Sequence, residues 1–376
     1  MTQAVPVWED GEWAPLPALA ADVEADVCVV GLGGSGLACV HEALDIGARV
    51  MGIDAGAVAS GAAGRNGGFL LAGSYHFYHD AVARYGRERA LGIYRATLDE
   101  IERIAEETPA AVRRVGSIRL ATSAAEREDC AAQLAAMRAD RLPVEPYEGA
   151  EGVGLLIPSD ASFDPLLRAR TLARRALERG AGLHENTPAL SLDNGVVTTP
   201  RGRIRSGVII VAVDGALVRV LPELRGRVRT ARLQMLATAP APEVHIPRPV
   251  YARYGMDYWQ QLADGRVAAG GFRDVGGEAE WTARTDITRP VQDALEIHLR
   301  EVVGVTAPIT RRWAASVGYT EDGLPILEEV RAGVWGVGAY SGTGNVIGAL
   351  CGRAAARIAL LGDSALARPF LARARA

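Results

Sequence analysis

Residues 31–36 read Gly31-Leu-Gly33-Gly34-Ser35-Gly36, directly after the apolar run Val27-Cys28-Val29-Val30, and a second apolar run from Ala48 ends at Ile53, followed by Asp54. Glycines at this spacing do specific work. Gly31 permits a tight turn, Gly33 lets backbone N–H groups approach a pyrophosphate, and Gly36 lets a following helix pack on the sheet. An acidic residue about 20 positions on is placed to accept hydrogen bonds from ribose hydroxyls, and Asp54 occupies that place. Strand, turn, helix, second strand and terminal acid together predict a dinucleotide-binding βαβ unit.

Two further glycine clusters select among dinucleotides. Gly64-Arg65-Asn66-Gly67-Gly68-Phe69, preceded by Ser60-Gly61-Ala62-Ala63, offers a backbone without Cβ atoms to a flat ring. Near the other end, the predicted strand Val334–Ser341 runs into Gly342-Thr343-Gly344-Asn345, and a helical pattern continues from Val346 to about Leu361. A glycine-lined helix N-terminus presents N–H groups and a positive dipole end. That end would stabilise negative charge on the N1–C2=O side of a reduced flavin. No second glycine fingerprint of this kind follows another strand, so direct oxidation of a nicotinamide cofactor is not expected.

Candidate substrate residues cluster between 251 and 273. Tyr251, Tyr254, Tyr258 and Trp259 fall on predicted strands, and Tyr254 and Tyr258, four apart, are expected on one sheet face as an aromatic wall. Arg253 and Arg273 are candidate anchors for an anionic group. The alternative is ordinary core packing for the aromatics and exposed sheet edges for the arginines. No metal site is expected.

These residues must be positioned by separated stretches of chain. Residues 1–75, 151–229 and 310–376 are expected to build the nucleotide domain. The charged, helix-periodic stretch 76–150, with a short strand at Ser117, is expected as a helical insertion. Residues 230–309, which read as alternating strands with a turn at Asp264-Gly265 and a helix over about 289–303, are expected to form a substrate domain. A chain of 376 residues is long enough for two domains.

Composition narrows the function classes. Net charge is −4 and hydrophobic content 49%, so nucleic acid and anionic membranes are not expected partners. No run approaches the ~18 apolar residues of a membrane span, the N-terminus lacks a secretory pattern, and the four cysteines do not form a disulfide framework. A soluble, cytoplasmic protein is expected, of unspecified oligomeric state. All 41 basic residues are arginine, so no lysine can act as Schiff base, general base or oxygen-activating cation.

The segments Glu24-Ala-Asp-Val-Cys-Val-Val-Gly-Leu-Gly33, Gly61-Ala-Ala-Gly-Arg-Asn-Gly-Gly68, Asp164-Pro165 and Tyr340-Ser-Gly-Thr-Gly344 resemble the FAD-dependent amine and amino-acid oxidase superfamily, which includes glycine, D-amino acid and sarcosine oxidases. The Arg-Asn-Gly-Gly tetrad and the spacing from Trp313 through Gly318 to Pro325 are most similar to the γ-glutamylputrescine oxidase branch. The resemblance implies an α/β fold: a Rossmann-like FAD-binding domain of discontinuous segments plus an antiparallel-sheet α+β substrate domain that covers the flavin in relatives. It implies FAD contacts at Gly31, Gly33, Gly34, Ser35, Gly36, Asp54, Ala55, Ser60, Arg65, Asn66, Gly67, Gly68, Phe69, Ala189, Val213, Gly318, Gly342, Thr343, Gly344, Asn345 and Val346. The implied chemistry is oxidation of a small amine's CH–N bond to an imine, with hydride passing to flavin N5 and reoxidation by O2 or another acceptor.

Departures from the family pattern bear on the substrate. Where amino-acid-oxidising relatives place a carboxylate-binding arginine, this chain has Val317, and where sarcosine-oxidising relatives place a lysine it has Val346. An amine without an adjacent carboxylate is therefore expected. The cysteine that tethers flavin in sarcosine oxidases also maps near Val317, which implies noncovalent FAD. Thr343 stands in place of a common histidine, so a dehydrogenase remains open. Alternatives are a glycine or D-amino acid oxidase with a displaced carboxylate anchor, a flavin-binding subunit without turnover, and a nicotinamide-dependent dehydrogenase.

Overall fold

Segments rich in valine and isoleucine, without polar alternation, form the centre of a mainly parallel sheet, because strands covered on both faces need apolar residues at every position. The computed structural model describes residues 5–371. The chain divides into two compact units, and the division falls at 10/11, 64/65, 164/165, 230/231 and 316/317.

The parallel-sheet unit contains residues 11–64, 165–230 and 317–371. Strand Val23–Val30 pairs in parallel with Gly202–Val211 on one side and Val50–Ile53 on the other. Gly182–His184 extends the sheet beyond Val50–Ile53, and Val334–Gly338 pairs in parallel with the far half of Gly202–Val211. Helices Gly34–Ile46, Pro165–Glu178 and Ile347–Leu361 belong to the same unit. The first and last pack so closely that a Cβ at Gly352 would run into the Ser35 carbonyl oxygen. Cys28, Val30, Ile53, Ile209, Val211 and Leu217 fill the core on the sheet. Burial pushes the Cys28 thiol up to about 12, so this cysteine acts as a small hydrophobe.

The antiparallel-sheet unit contains residues 65–164 and 231–316 with the described residues 5–10. Its sheet runs, in spatial order, Ile309–Tyr319, Arg229–Pro240, Arg266–Gly271, Asp257–Gln261, Val250–Ala252, Ser117–Leu120, Gly152–Ile157 and Glu145–Gly149. Leu236, Val250, Trp259, Val267 and Ala269 point to one face, against Val291, Leu295 and Leu299 of the helical segment that starts at Arg289. On the other face, the Ser117–Leu120 end is covered by helices Tyr78–Tyr85, Arg87–Glu107 and Ala124–Ala139. A small sheet, Phe69–Leu70, Ala161–Phe163 and Val112–Arg113, completes the unit. Among the described residues no helix is long and apolar enough to cross a membrane.

Several elements differ from the sequence reading. The stretch 76–150 does more than insert helices, because Ser117–Leu120 pairs in parallel with Val250–Ala252 and so joins the large sheet. Residues 65–75 group with the antiparallel-sheet unit, since Phe69–Leu70 pairs with Ala161–Ser162. Strand Val250–Ala252 stops short of Tyr254 because Arg253 and Tyr254 both adopt left-handed φ, 48° and 56°. Helix Arg289–His298 gives way to a π turn at Leu299–Val303 rather than running on as an α-helix.

Asp160 is a buried carboxylate with local consequences. It accepts hydrogen bonds from Ser117 Oγ at 2.6 Å and from the Ala72 N–H at 2.9 Å, and burial pushes its carboxyl up to about 7. A carboxyl raised in the folded state binds more protons there than when unfolded, so its contribution to stability falls as pH rises from about 4 to 7. Asp160→Asn keeps the acceptor for Ala72 and removes the charge. The expected result is a protein more stable above pH 7, by on the order of 2 kcal/mol, with a flatter stability profile between pH 4 and 7, read by denaturant unfolding across that range.

Candidate functional site

Each unit carries a cluster of the residues singled out from the sequence. In the parallel-sheet unit the chain leaves strand Val23–Val30 at Gly31, whose φ is 105° and where a Cβ would strike the Ala212 carbonyl. A Cβ at Gly36 would in turn collide with the Gly31 carbonyl oxygen, while Gly34 has open space beyond its Cα. Gly33 caps helix Gly34–Ile46 without a side-chain hydrogen bond, and the first turn carries no acidic residue. Such a helix start leaves N–H groups and a positive dipole end for an anion.

Asp54 is tied into this turn. Its Oδ2 accepts from the Leu32 N–H and its Oδ1 from the Gly56 N–H, both at 2.8 Å. Burial raises its pKa from the ordinary aspartate value. The acid at the end of the second strand therefore braces the glycine turn itself. Ser60 Oγ packs against Gly56, and Ala55 lies between that glycine and Asp54. Ala189 and Val213 pack against the apolar core of the same unit.

Asp214, the residue after Val213, joins three segments. It has a left-handed φ of 41°, and its carboxylate accepts from the N–H groups of Tyr340 at 3.2 Å and Gly318 at 3.3 Å. Burial pushes its carboxyl up to about 6. Ala339, Ser341 and Gly342 also take left-handed φ, 54°, 53° and 94°, so the chain turns sharply before helix Ile347–Leu361. Thr343 closes this turn by donating both its N–H and its hydroxyl to the Tyr340 carbonyl. Gly344 lies against the Tyr340 ring, which would meet a Cβ there at 3.0 Å, and Asn345 and Val346 lead into the helix. Tyr340 Oη hydrogen-bonds Ser35 Oγ at 2.6 Å in the interior, which ties this turn to the first helix.

In the antiparallel-sheet unit the Arg65-Asn66-Gly67-Gly68 loop has each of its carbonyls taken. The Arg65 carbonyl accepts from Trp313 Nε1 at 2.8 Å and the Asn66 carbonyl from Trp8 Nε1 at 2.9 Å. Gln260 Nε2 donates to the Gly67 carbonyl and, at 3.2 Å, to that of Gly68, which also accepts from the Phe163 N–H at 2.9 Å. Gly68 has φ 72°, and a Cβ there would meet the Trp8 ring at 2.7 Å. The Arg65 guanidinium donates to the Ala314 carbonyl, and burial lowers its pKa.

Tyr258 stands beside this loop. Its ring lies where a Cβ on Gly67 or on Gly270 would be, at 3.0 and 2.5 Å, and it meets Phe69 edge-on at 5.9 Å. Tyr254, expected on the same face, lies outside the strand and is 52% exposed. Its ring groups instead with Phe77, which also stacks with Tyr251. Arg253 pairs with Asp257 and with Asp274, the latter at 2.9 Å, and these carboxylates push its pKa up further. Arg273 lies over the Trp281 ring at 4.4 Å. His79, Asp80 and Asp129 gather on the helices of this unit, where the Arg119 guanidinium already pairs with Asp129.

The model of the FAD dependent oxidoreductase family, DAO, matches residues 26–358. The chain belongs to this family. A "Probable oxidoreductase OrdL" of Rhizobium meliloti is 26% identical over 372 residues, covering 92% of this chain and 85% of the relative. A gamma-glutamylputrescine oxidoreductase of Escherichia coli is 27% identical over 380 residues, 94% of this chain and 87% of the relative. Among solved structures, glycine oxidase from Geobacillus kaustophilus superposes with TM-score 0.75 at 21% identity, over 94% of this chain and all of that one. L-proline dehydrogenase from P. horikoshii gives TM-score 0.76 at 19% identity, over 93% and 96% of the two chains. The resemblance drawn from the motifs is borne out, as is the FAD-binding plus substrate-domain fold, and the family implies FAD.

Sequence reasoning missed several residues of this oxidoreductase. Glu185 is buried and accepts from Trp13 Nε1 and from the Leu16 and Val58 N–H groups at 2.7–2.8 Å, holding the stretch after residue 10 to its own unit. Asp214, Trp8, Gln260 and Trp313 have no assigned role in the sequence reading. Their partners lie far away in sequence, so no local pattern marks them. Tyr340→Phe removes the buried bond to Ser35 Oγ and is expected to lower stability by about 1–2 kcal/mol, measured by denaturant unfolding.

Proposed function

We propose that this family member oxidises the C–H bond beside the nitrogen of a small amine that lacks a carboxylate on that carbon, with FAD held noncovalently. The observation that carries the reading is the pairing of Arg253 with Asp257 and Asp274. Val317 and Val346 occupy the places of the family's usual carboxylate anchors, and Arg253, one of the two replacements the sequence offers beside Arg273, already has its charge matched. The name of the Escherichia coli relative, a gamma-glutamylputrescine oxidoreductase, accords with an amine donor of that kind.

The residues present fit FAD. Open space at Gly34, an uncapped helix start and a first turn without acids suit a pyrophosphate at Gly31, Gly33, Gly34, Ser35 and Gly36. Asp54, Ala55 and Ser60 would serve the ribose side, with Ala189 and Val213 toward the adenine. Gly318 and the Gly342–Val346 turn would hold the flavin end in the same unit. In the antiparallel-sheet unit, Arg65–Phe69 offers a flat, glycine-lined backbone surface for a ring.

Bound FAD supplies a two-electron acceptor. The donor's C–H hydrogen would leave as hydride with its electron pair, the N–H proton would leave to solvent, and a C=N bond would form. Water adding to the imine would then release a carbonyl compound and an amine or ammonia. Tyr258, braced by Gly67 and Gly270, would hold the donor by its ring face and hydroxyl, which fixes the reacting carbon and restricts water. Arg273 over Trp281 would narrow the approach.

An anaerobic titration of the purified protein, with polyamines, N-methyl amines, glycine and D-amino acids added in turn, tests this. Bleaching of the visible flavin band by amines without a carboxylate is expected. Bleaching by amino acids alone would overturn the substrate reading, and readmitted air then separates oxidase from dehydrogenase. Tyr258→Phe is expected to lower kcat/KM about tenfold while FAD stays bound.

A further inference from the structure

The carbonyls of residues 65–68 are captured by side chains from three distant parts of the sequence. Trp313 Nε1 takes Arg65, Trp8 Nε1 takes Asn66, and Gln260 Nε2 takes Gly67 and Gly68. All three donors are buried. In a planar trans peptide the carbonyl of one residue and the N–H of the next point in opposite directions. Capturing the Arg65 and Asn66 carbonyls therefore turns the Asn66 and Gly67 N–H groups to the side away from the indoles. The Gly68 N–H is bound by Asn66 Oδ1 at 2.8 Å, which closes the loop on itself.

Trp8 is brought here by a short stretch of chain that is itself held down. Arg311 donates to the Pro6 carbonyl at 2.8 Å and Arg266 to the Val7 carbonyl at 3.2 Å, while both arginines pair with Asp10 at 2.5 Å. The Trp8 ring also fills the space beside Gly68 that any side chain there would occupy. These contacts hold residues 6–10 in one register against the loop, and so fix the indole's donor.

The geometry points to Trp8, Gln260 and Trp313 as positioning residues that hold the Arg65–Gly68 loop so that its Gly67 N–H is aimed at an acceptor-edged flat ring. This rests on the reading of that loop as a surface for the ring of FAD. The three side chains act through the loop and need not touch the cofactor. The stretch 6–10 is then part of the binding apparatus, and its arginine clamps hold one donor of a three-donor set.

The test uses the full-length protein with Trp8→Phe and Gln260→Met, each of which removes donors while keeping an apolar side chain of similar bulk. Gln292→Met is the control, since Gln292 is a buried amide donating to Gln234 Oε1 and the Met235 carbonyl in the same unit, without contact with the loop. FAD affinity is measured by titrating flavin-free protein, alongside the visible spectrum of the bound flavin. Trp8→Phe and Gln260→Met are expected to weaken FAD binding about tenfold and to shift the flavin band, with Gln292→Met lowering only thermal stability. Parental affinity and spectrum in both loop variants, or equal changes in Gln292→Met, would overturn the inference while leaving the FAD reading intact. A parent protein that binds no FAD would instead overturn that reading and this inference with it.

Discussion

Backbone meets backbone at the end of strand Val23–Val30, and much of the parallel-sheet unit depends on that close approach. Gly31 sits against the Ala212 carbonyl, and Gly36 against the Gly31 carbonyl, with no room for a Cβ at either. The contact follows from the parallel pairing of Val23–Val30 with Gly202–Val211, which brings both strands to an end side by side. Because the turn is this tight, helix Gly34–Ile46 starts close to the sheet, and Gly352 can press on Ser35 from the neighbouring helix. Asp54 then braces the turn from the next strand, through Leu32 and Gly56. One steric requirement thus sets where the strands, the helix start and the acid lie.

A second constraint is the pairing of buried polar groups, since an unpaired carbonyl or charge in the interior costs more than a pairing returns. The loop after Gly64 meets it with indoles and an amide, which rigidifies a backbone that its glycines would otherwise leave mobile. Arginine meets it for charge. Arg232 forms two hydrogen bonds to buried Glu280, at 2.8 and 2.9 Å, which Gln234 and Thr288 also reach. Arg253 bridges Asp257 and Asp274. In a chain without lysine such planar, bidentate pairs match arginine charge both in the interior, at Arg232, and at the half-buried Arg253. Arg253 is consequently tied into the turn beside Tyr254.

The glycine fingerprint, the strand and helix types around it, Asp54 and the turn before helix Ile347–Leu361 were legible because each is a local requirement of backbone conformation or of hydrophobic period. The same reasoning went astray at Tyr254. A spacing of four places two residues on one face only while the chain stays extended, and left-handed Arg253 and Tyr254 break the strand between them. Nor does a local pattern show the pairing of Ser117–Leu120 with Val250–Ala252, which joins segments about 130 residues apart.

By itself, then, the sequence determined the family, the order of elements and the backbone positions that only glycine can fill. Tertiary structure decided what surrounds them: which donors take the carbonyls of residues 65–68, that Asp214 links Gly318 to Tyr340, and that the charge of Arg253 is already matched. The physical reason is range. Conformation and periodicity are properties of neighbouring residues, whereas Trp8 and Asn66 are 58 positions apart and Trp313 and Arg65 are 248. Partners so distant meet only when strand register and packing bring them together.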